Sequence, residues 1–136
     1  MQLFDFLESF ANAIAEMEGF NVTQANADRL KIPWPTTAQL NHNPGNLRTW
    51  ERRYNKNGYA FFNTPKEGWL ALYSQILLNV LRGVNTYEFF AGKRGVCKGY
   101  APSADGNHPK SYAEFVAQKL NIDPNVELIK VIKVNG

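Results

Sequence analysis

The chain carries one cysteine, Cys97, in 136 residues. A lone thiol closes no intramolecular disulfide, so the fold must hold through its core, and no paired spacing marks a zinc knuckle. A catalytic thiol needs an activating base, and only His42 and His108 are on offer. Cys97 therefore reads as a small buried hydrophobe. His42, His108 and Asp105 do not have the spacing of metal ligands, and the glycines do not form a phosphate loop. No metal and no cofactor is expected. Apolar runs long enough to cross a bilayer are also missing, so no membrane insertion is expected. The opening MQLFDFLESFANAIAEMEGF lacks a basic start and an uninterrupted apolar stretch, so it is not read as a secretory signal. The expected site of synthesis is the cytoplasm. Action in a periplasm or at a cell wall would then need delivery by a virion, a lysis channel or a secretion machine.

A strong charge bias is lacking as well. Fifteen Lys and Arg against twelve Asp and Glu give a formal charge of +3. That mild excess would help docking on an anionic polymer. The basic residues are scattered, with Arg52-Arg53 and Lys93-Arg94 the adjacent pairs, and no basic arm or reader helix emerges. Nucleic acid is not an expected partner.

What the chain does have is apolar material. Hydrophobic residues make up 44%, including nine Phe, six Tyr and three Trp. This suffices for a real core, and the length fits one domain over residues 1–136. The expected class is mainly α, with a central hydrophobic helix and short β elements. Leu3, Phe4, Leu7, Phe10, Ile14 and Met17 recur at helical spacing and predict a first helix from about Leu3 to Glu18, stopped by Gly19. Residues 20–63 read as mostly irregular, with a Pro44-Gly45 type II turn and an aromatic ribbon near Gly58 to Phe62. Thr64 and Glu67 form a capping-box pattern before a second helix from Pro65. Trp69, Leu70, Leu72, Tyr73, Ile76, Leu77, Val80 and Leu81 make that helix apolar around most of its circumference, so it is expected at the centre of the fold. Thr86 to Ala91 and Pro109 to Leu120 are further helices, the latter with Tyr112, Phe115, Val116 and Leu120 inward. Asp123-Pro124 can open a last short helix, and the tail LIKVIKVNG reads alternatively as a strand.

Two segments carry candidate chemistry. Glu18 falls at the last turn of the first helix, at the negative end of its dipole and four residues after Ile14. Such a setting disfavours charge, and an acid that keeps its proton is what glycosidic cleavage needs, because the leaving oxygen must be protonated. Asn43-Pro44-Gly45-Asn46-Leu47-Arg48 is a tight turn holding two amides before a guanidinium. These groups can bind backbone or the hydroxyl and acetamido groups of a sugar.

Ile14-Ala15-Glu16-Met17-Glu18-Gly19-Phe20 followed by Asn43-Pro44-Gly45-Asn46-Leu47-Arg48 resembles the small lysozyme-like lytic transglycosylase family of phages and bacteria. Glu67-Gly68-Trp69-Leu70-Ala71-Leu72 is similar to the start of that family's central helix. Gly99-Tyr100-Ala101-Pro102, with Asp105, Asn107, Tyr112 and Val116, is similar to its last block. The resemblance spans roughly residues 10–120, and its strength is the order of four blocks. It implies a lysozyme-like helical domain with Glu18 as the catalytic acid. It implies Asn43, Asn46 and Arg48 as residues that line or support a cleft, and Tyr100 as a wall of it. The implied activity is bacteriolytic: cleavage of the β-1,4 bond between N-acetylmuramic acid and N-acetylglucosamine in peptidoglycan. The chain departs from the pattern at His42, where a small polar residue is usual, and in a longer, Trp-Pro-rich segment between Phe20 and Asn41.

A hydrolase of the usual kind uses two carboxylates at a set separation. Asp28, Glu51, Glu67 and Asp105 are the candidates for the second, and none stands out. A lytic transglycosylase uses one glutamate and yields a 1,6-anhydro sugar, so both routes stay open. The competing reading is an inactive module of a virion or secretion assembly that binds glycan or protein.

Overall fold

The computed structural model describes residues 1–48, 55–56, 58–101 and 107–132. Within them the protein is mainly helical. The helices are α1 (Leu3–Met17), α2 (Gln24–Leu30), α3 (Thr37–Leu40), α4 (Pro65–Leu81), α5 (Thr86–Ala91), α6 (Pro109–Leu120) and α7 (Leu128–Val131). The described strands, β1 (Asn55–Lys56) and β2 (Tyr59–Ala60), form an antiparallel ribbon in the register Asn55 to Ala60. No described helix is long and apolar enough to cross a membrane. The chain divides into two compact units, Ile14–Ser74 and Met1–Ala13 with Gln75–Gly136; the divisions fall within α1 and α4.

Short helices in the Ile14–Ser74 unit correct the expectation of an irregular stretch over residues 20–63. α2 starts at Thr23, whose hydroxyl accepts from Asn26 N at 3.2 Å. α3 starts at Thr36 with a full capping box: Thr36 Oγ1 accepts from Gln39 N, and Gln39 Oε1 accepts from Thr36 N at 2.8 Å. Each helix is short because it hides little apolar surface; Ala27 and Ala38 are their buried residues. Four unpaired amides at each helix start would otherwise need water, so the caps decide where these turns form. At α4, Thr64 Oγ1 accepts from Glu67 N at 3.3 Å, while the Glu67 carboxylate takes Asn63 N at 3.2 Å. The capping pattern thus holds, shifted by one residue on its return side. The core of this unit gathers Ile14, Leu47, Ala60, Phe62 and Leu72, with Asn41 and Asn43 buried among them.

The other unit is built on aromatics. Phe10 sits 5.4 Å from Phe6, 4.9 Å from Phe89 and 6.0 Å from Phe90, measured between ring centroids. Phe90 stacks on Tyr112 of α6 at 4.6 Å. Such contacts add to the area these rings remove from water. Val80, Val84, Val116 and Leu128 complete the core. Asn85 caps α5 reciprocally with Glu88, and Leu128 N donates to Val84 O at 2.9 Å, tying the start of α7 to the end of α4's loop.

Three expectations about faces change. The buried stripe of α1 runs through Phe6, Phe10, Ala13 and Ile14, whereas Leu3, Phe4 and Met17 are exposed. Phe6 lies four residues before Phe10, so the inward face is rotated by about one residue from the predicted one. On α4, Leu70, Leu78 and Leu81 are 54%, 44% and 69% exposed, so this helix is not sheathed all round. On α6, Phe115 is half-buried under the Lys119 ammonium rather than inward, and Ala113 and Ala117 take the buried places. Residues 128–131 are helical, which removes the strand alternative for them.

Candidate functional site

Glu18 is positioned by the way α1 ends. Glu18 N donates to Ile14 O, Gly19 N to Glu16 O at 3.2 Å, and Phe20 N to Ala15 O at 3.0 Å. This is a Schellman closure, which needs a left-handed residue one step beyond the cap. Gly19 supplies it with φ of 73°. Glu18 is therefore the cap residue itself, half-buried, and three hydrogen bonds from residues 18–20 close the chain onto the last turn of the helix.

Further ties hold the chain that follows. Thr36 Oγ1 donates to Gly19 O at 3.0 Å, and Gln39 Nε2 donates to Phe20 O at 3.0 Å and Val22 O at 2.9 Å. The capping-box residues of α3 thus also clamp the exit from α1. Neither Thr36 nor Gln39 stands out by apolar periodicity; the signal in the sequence that marks them is the Thr-x-x-Gln spacing. Trp34 Nε1 also reaches Val22 O, at 3.2 Å.

The Asn43–Arg48 turn meets Glu18 through Asn46. Asn46 N donates to Asn43 O at 3.0 Å around Pro44 and Gly45, so the predicted turn forms. The left-handed residues are His42 (φ 49°) and Asn46 (φ 48°), on either side of the Pro-Gly pair, so it is not the type II turn expected with Gly45 at positive φ. Asn46 Nδ2 donates to Glu18 Oε2 at 2.9 Å. Its Oδ1 is buried with no hydrogen-bond partner.

Asn43 has a different role. It is wholly buried, with Nδ2 donating to Leu47 O (3.0 Å) and Ala60 O (2.9 Å) and Oδ1 accepting from Leu47 N (3.0 Å). Both donor positions of the amide are used on backbone carbonyls. Asn43 thus ties the turn together from inside. Arg48 is exposed, and its guanidinium lies 4.6 Å from the centre of the Tyr59 ring. It stacks on the ribbon and carries a positive charge beside the turn.

Gly68 of α4 admits this arrangement. A Cβ there would fall 2.0 Å from His42 O and 2.8 Å from Pro44 Cδ. Only a residue without a side chain lets the turn lie this close to the helix. His42 Nδ1, in turn, is 3.0 Å from Phe62 O, which fixes the start of the loop.

Tyr100 belongs to the other unit. Its ring stacks on Phe89 at 5.5 Å and meets Phe90 edge-on at 6.0 Å, and its amide donates to Phe89 O at 2.8 Å. Trp69, expected in the core, is half-buried and packs edge-on against Phe20 at 5.6 Å. Cys97 is half-buried rather than buried, with Sγ 3.6 Å from Glu88 O. Among the carboxylates weighed as a second acid, Asp28 is exposed on α2 and Glu67 is engaged at the start of α4. Glu51, Asp105, Trp50, Tyr54, Pro102 and residues 133–136 lie outside the described residues. No family model, no curated protein and no solved structure matches the chain.

Proposed function

We propose that this protein cleaves the β-1,4 bond between N-acetylmuramic acid and N-acetylglucosamine in peptidoglycan, as a lytic transglycosylase or a muramidase on a lysozyme-like fold. The observation that carries the reading is the bond from Asn46 Nδ2 to Glu18 Oε2. A glutamate at a rigid helix end, oriented by an amide from a buttressed turn, has what a general acid requires: a fixed position and a neighbour that tolerates either protonation state. An amide serves both states because it can turn over. Its nitrogen donates to a carboxylate, and its oxygen, otherwise without a partner, accepts from a carboxylic acid.

In this mechanism Glu18 gives its proton to the glycosidic oxygen as the bond to the muramoyl carbon breaks. The resulting carboxylate then takes a proton from the attacking hydroxyl. If the attacker is the muramoyl 6-hydroxyl, the product is a 1,6-anhydro sugar and no second carboxylate is needed. If it is water, the product is a reducing sugar. Arg48, held on Tyr59, offers charge and hydrogen-bond donors to the acidic groups of the wall polymer. The helical architecture and short ribbon support the fold assignment, and the mild positive charge supports an anionic polymer as substrate.

The test is mass spectrometry of products released from purified peptidoglycan by the wild type and by Glu18→Gln. Anhydromuramoyl products from the wild type alone support transglycosylation with Glu18 as acid. Reducing muramoyl ends support a muramidase. No release by a folded wild type, or equal release by the variant, overturns the assignment.

A further inference from the structure

The Met1–Ala13/Gln75–Gly136 unit contains a cavity of about 340 Å³ that plays no part in the chemistry above. Gln75, Asn79 and Arg82 of α4 line one side, Phe89 and Tyr100 form an aromatic wall, and Val96, Cys97, Lys98 and Gly99 close it. The volume is at the lower end of small-ligand sites, which are apolar clefts with a few placed polar groups.

The polar groups here have one sign. Arg82 and Lys98 both line the cavity, and no carboxylate is among its described lining residues. Arg82 is also held. Its Nη1 donates at 3.2 Å to Asn79 Oδ1, and Asn79, only 4% exposed, anchors itself by donating Nδ2 to Gln75 O at 2.9 Å. A buried amide with both ends engaged is a costly way to hold a surface arginine, and it fixes the cation at the cavity edge. Tyr100, half-buried and backed by its stack on Phe89, gives the cavity an apolar wall without charge.

We propose that this cavity binds a carboxylate with a small apolar body, of about dipeptide size, with Arg82 and Lys98 on the carboxylate and Tyr100, backed by Phe89, on the body. The peptide stems of the wall polymer end in D-alanyl-D-alanine, two methyl groups next to a single terminal carboxylate. That source, though not the anion chemistry, rests on the proposed function. Carboxylate recognition by a held guanidinium is favourable because the geometry is set before the ligand arrives.

Cys97 gives a direct reading of occupancy, because it is the single cysteine of the chain and lines the cavity. The experiment follows thiol labelling of the full chain by a neutral disulfide reagent, with calorimetry in parallel. The probes are N-acetyl-D-alanyl-D-alanine, its L,L isomer and the C-terminal amide of each. The acids are expected to release heat and slow labelling, the amides to do neither, and Arg82→Gln or Lys98→Gln to weaken acid binding about tenfold or more. Both substitutions are at exposed positions, and circular dichroism checks that the fold is kept. Preference for the D,D acid identifies the wall stem as source. Equal binding of both acids keeps the anion site and removes that source. No heat and no protection, or equal binding of acids and amides, overturns the proposal. Cleavage of glycan strands stripped of their peptides is measured separately, so loss of the cavity hypothesis and loss of the Glu18 assignment are distinguishable.

Discussion

Asn46 donates its side-chain amide to the Glu18 carboxylate at 2.9 Å, joining two residues 28 positions apart in the chain. Each partner is fixed by a different device: Glu18 by the Schellman end of α1, Asn46 by the turn packed on Gly68. If this pair is the acid and its orienting group, replacing Glu18 by Gln should lower glycan cleavage by ~10²–10⁴-fold, the usual contribution of a general acid. The swap keeps the shape of the side chain, so thermal unfolding should move little. Product release measured beside a melting curve checks both parts.

Asn46 calls for a substitution that spares its backbone. It sits at φ 48°, where a residue with a Cβ other than Asn or Asp is strained. Asn46→Gly removes the amide while keeping the left-handed conformation. Activity should fall about tenfold or more from lost orientation of Glu18, with the melting temperature nearly unchanged. Asn46→Ala should lose activity and also about 1–2 kcal/mol of stability from backbone strain. Comparing the two variants by denaturant titration separates orientation from strain.

Much of this arrangement was legible in the sequence, and the limits have physical causes. α1, α4, α5 and α6 announce themselves by apolar periodicity and by Gly or capping residues at their ends, and their bounds lie within a residue or two of the expected ones. α2 and α3 leave no such signal, because periodicity needs several buried positions and these helices bury one alanine each. The inward face of α1 is ambiguous in the sequence because its apolar residues cover more than half the helix, so Phe4 and Phe6 compete and packing alone selects Phe6. Asn43 and Asn46 carry the same amide, and no local pattern says which one faces backbone. That distinction arises only when residues 43, 47 and 60 meet in the fold.

Asn43 should accordingly be a stability residue. Asn43→Ala leaves Leu47 N and Ala60 O without their buried side-chain partner, whereas Leu47 O keeps the bond from Ala60 N. At ~1–3 kcal/mol for each orphaned buried group, partly relieved by water, a loss of about 3 kcal/mol is expected. Asn43→Asp should be nearly as harmful, because a carboxylate cannot donate to two carbonyls. Urea unfolding checks the size. Residual activity per folded molecule, measured well below the midpoint, should stay closer to wild type than in Asn46→Gly.

Gly68→Ala should be severe although it lies outside the reacting groups. Helix propensity alone would favour alanine by up to ~1 kcal/mol. The added methyl would fall 2.0 Å from the His42 carbonyl oxygen, however, and backbone cannot yield as a flexible side chain does. Overpacking of this kind typically costs ~1–3 kcal/mol, and here the upper end is expected because both contacts, His42 O and Pro44 Cδ, belong to one rigid turn. Relief requires the turn to lift from α4, which would carry Asn46 away from Glu18. Activity should therefore fall together with stability, and a ligand of the site should not restore it. A variant that is more stable than wild type, as propensity alone predicts, would show that the turn does not pack on Gly68 in solution. Thermal unfolding and product release from the same preparation decide between the two.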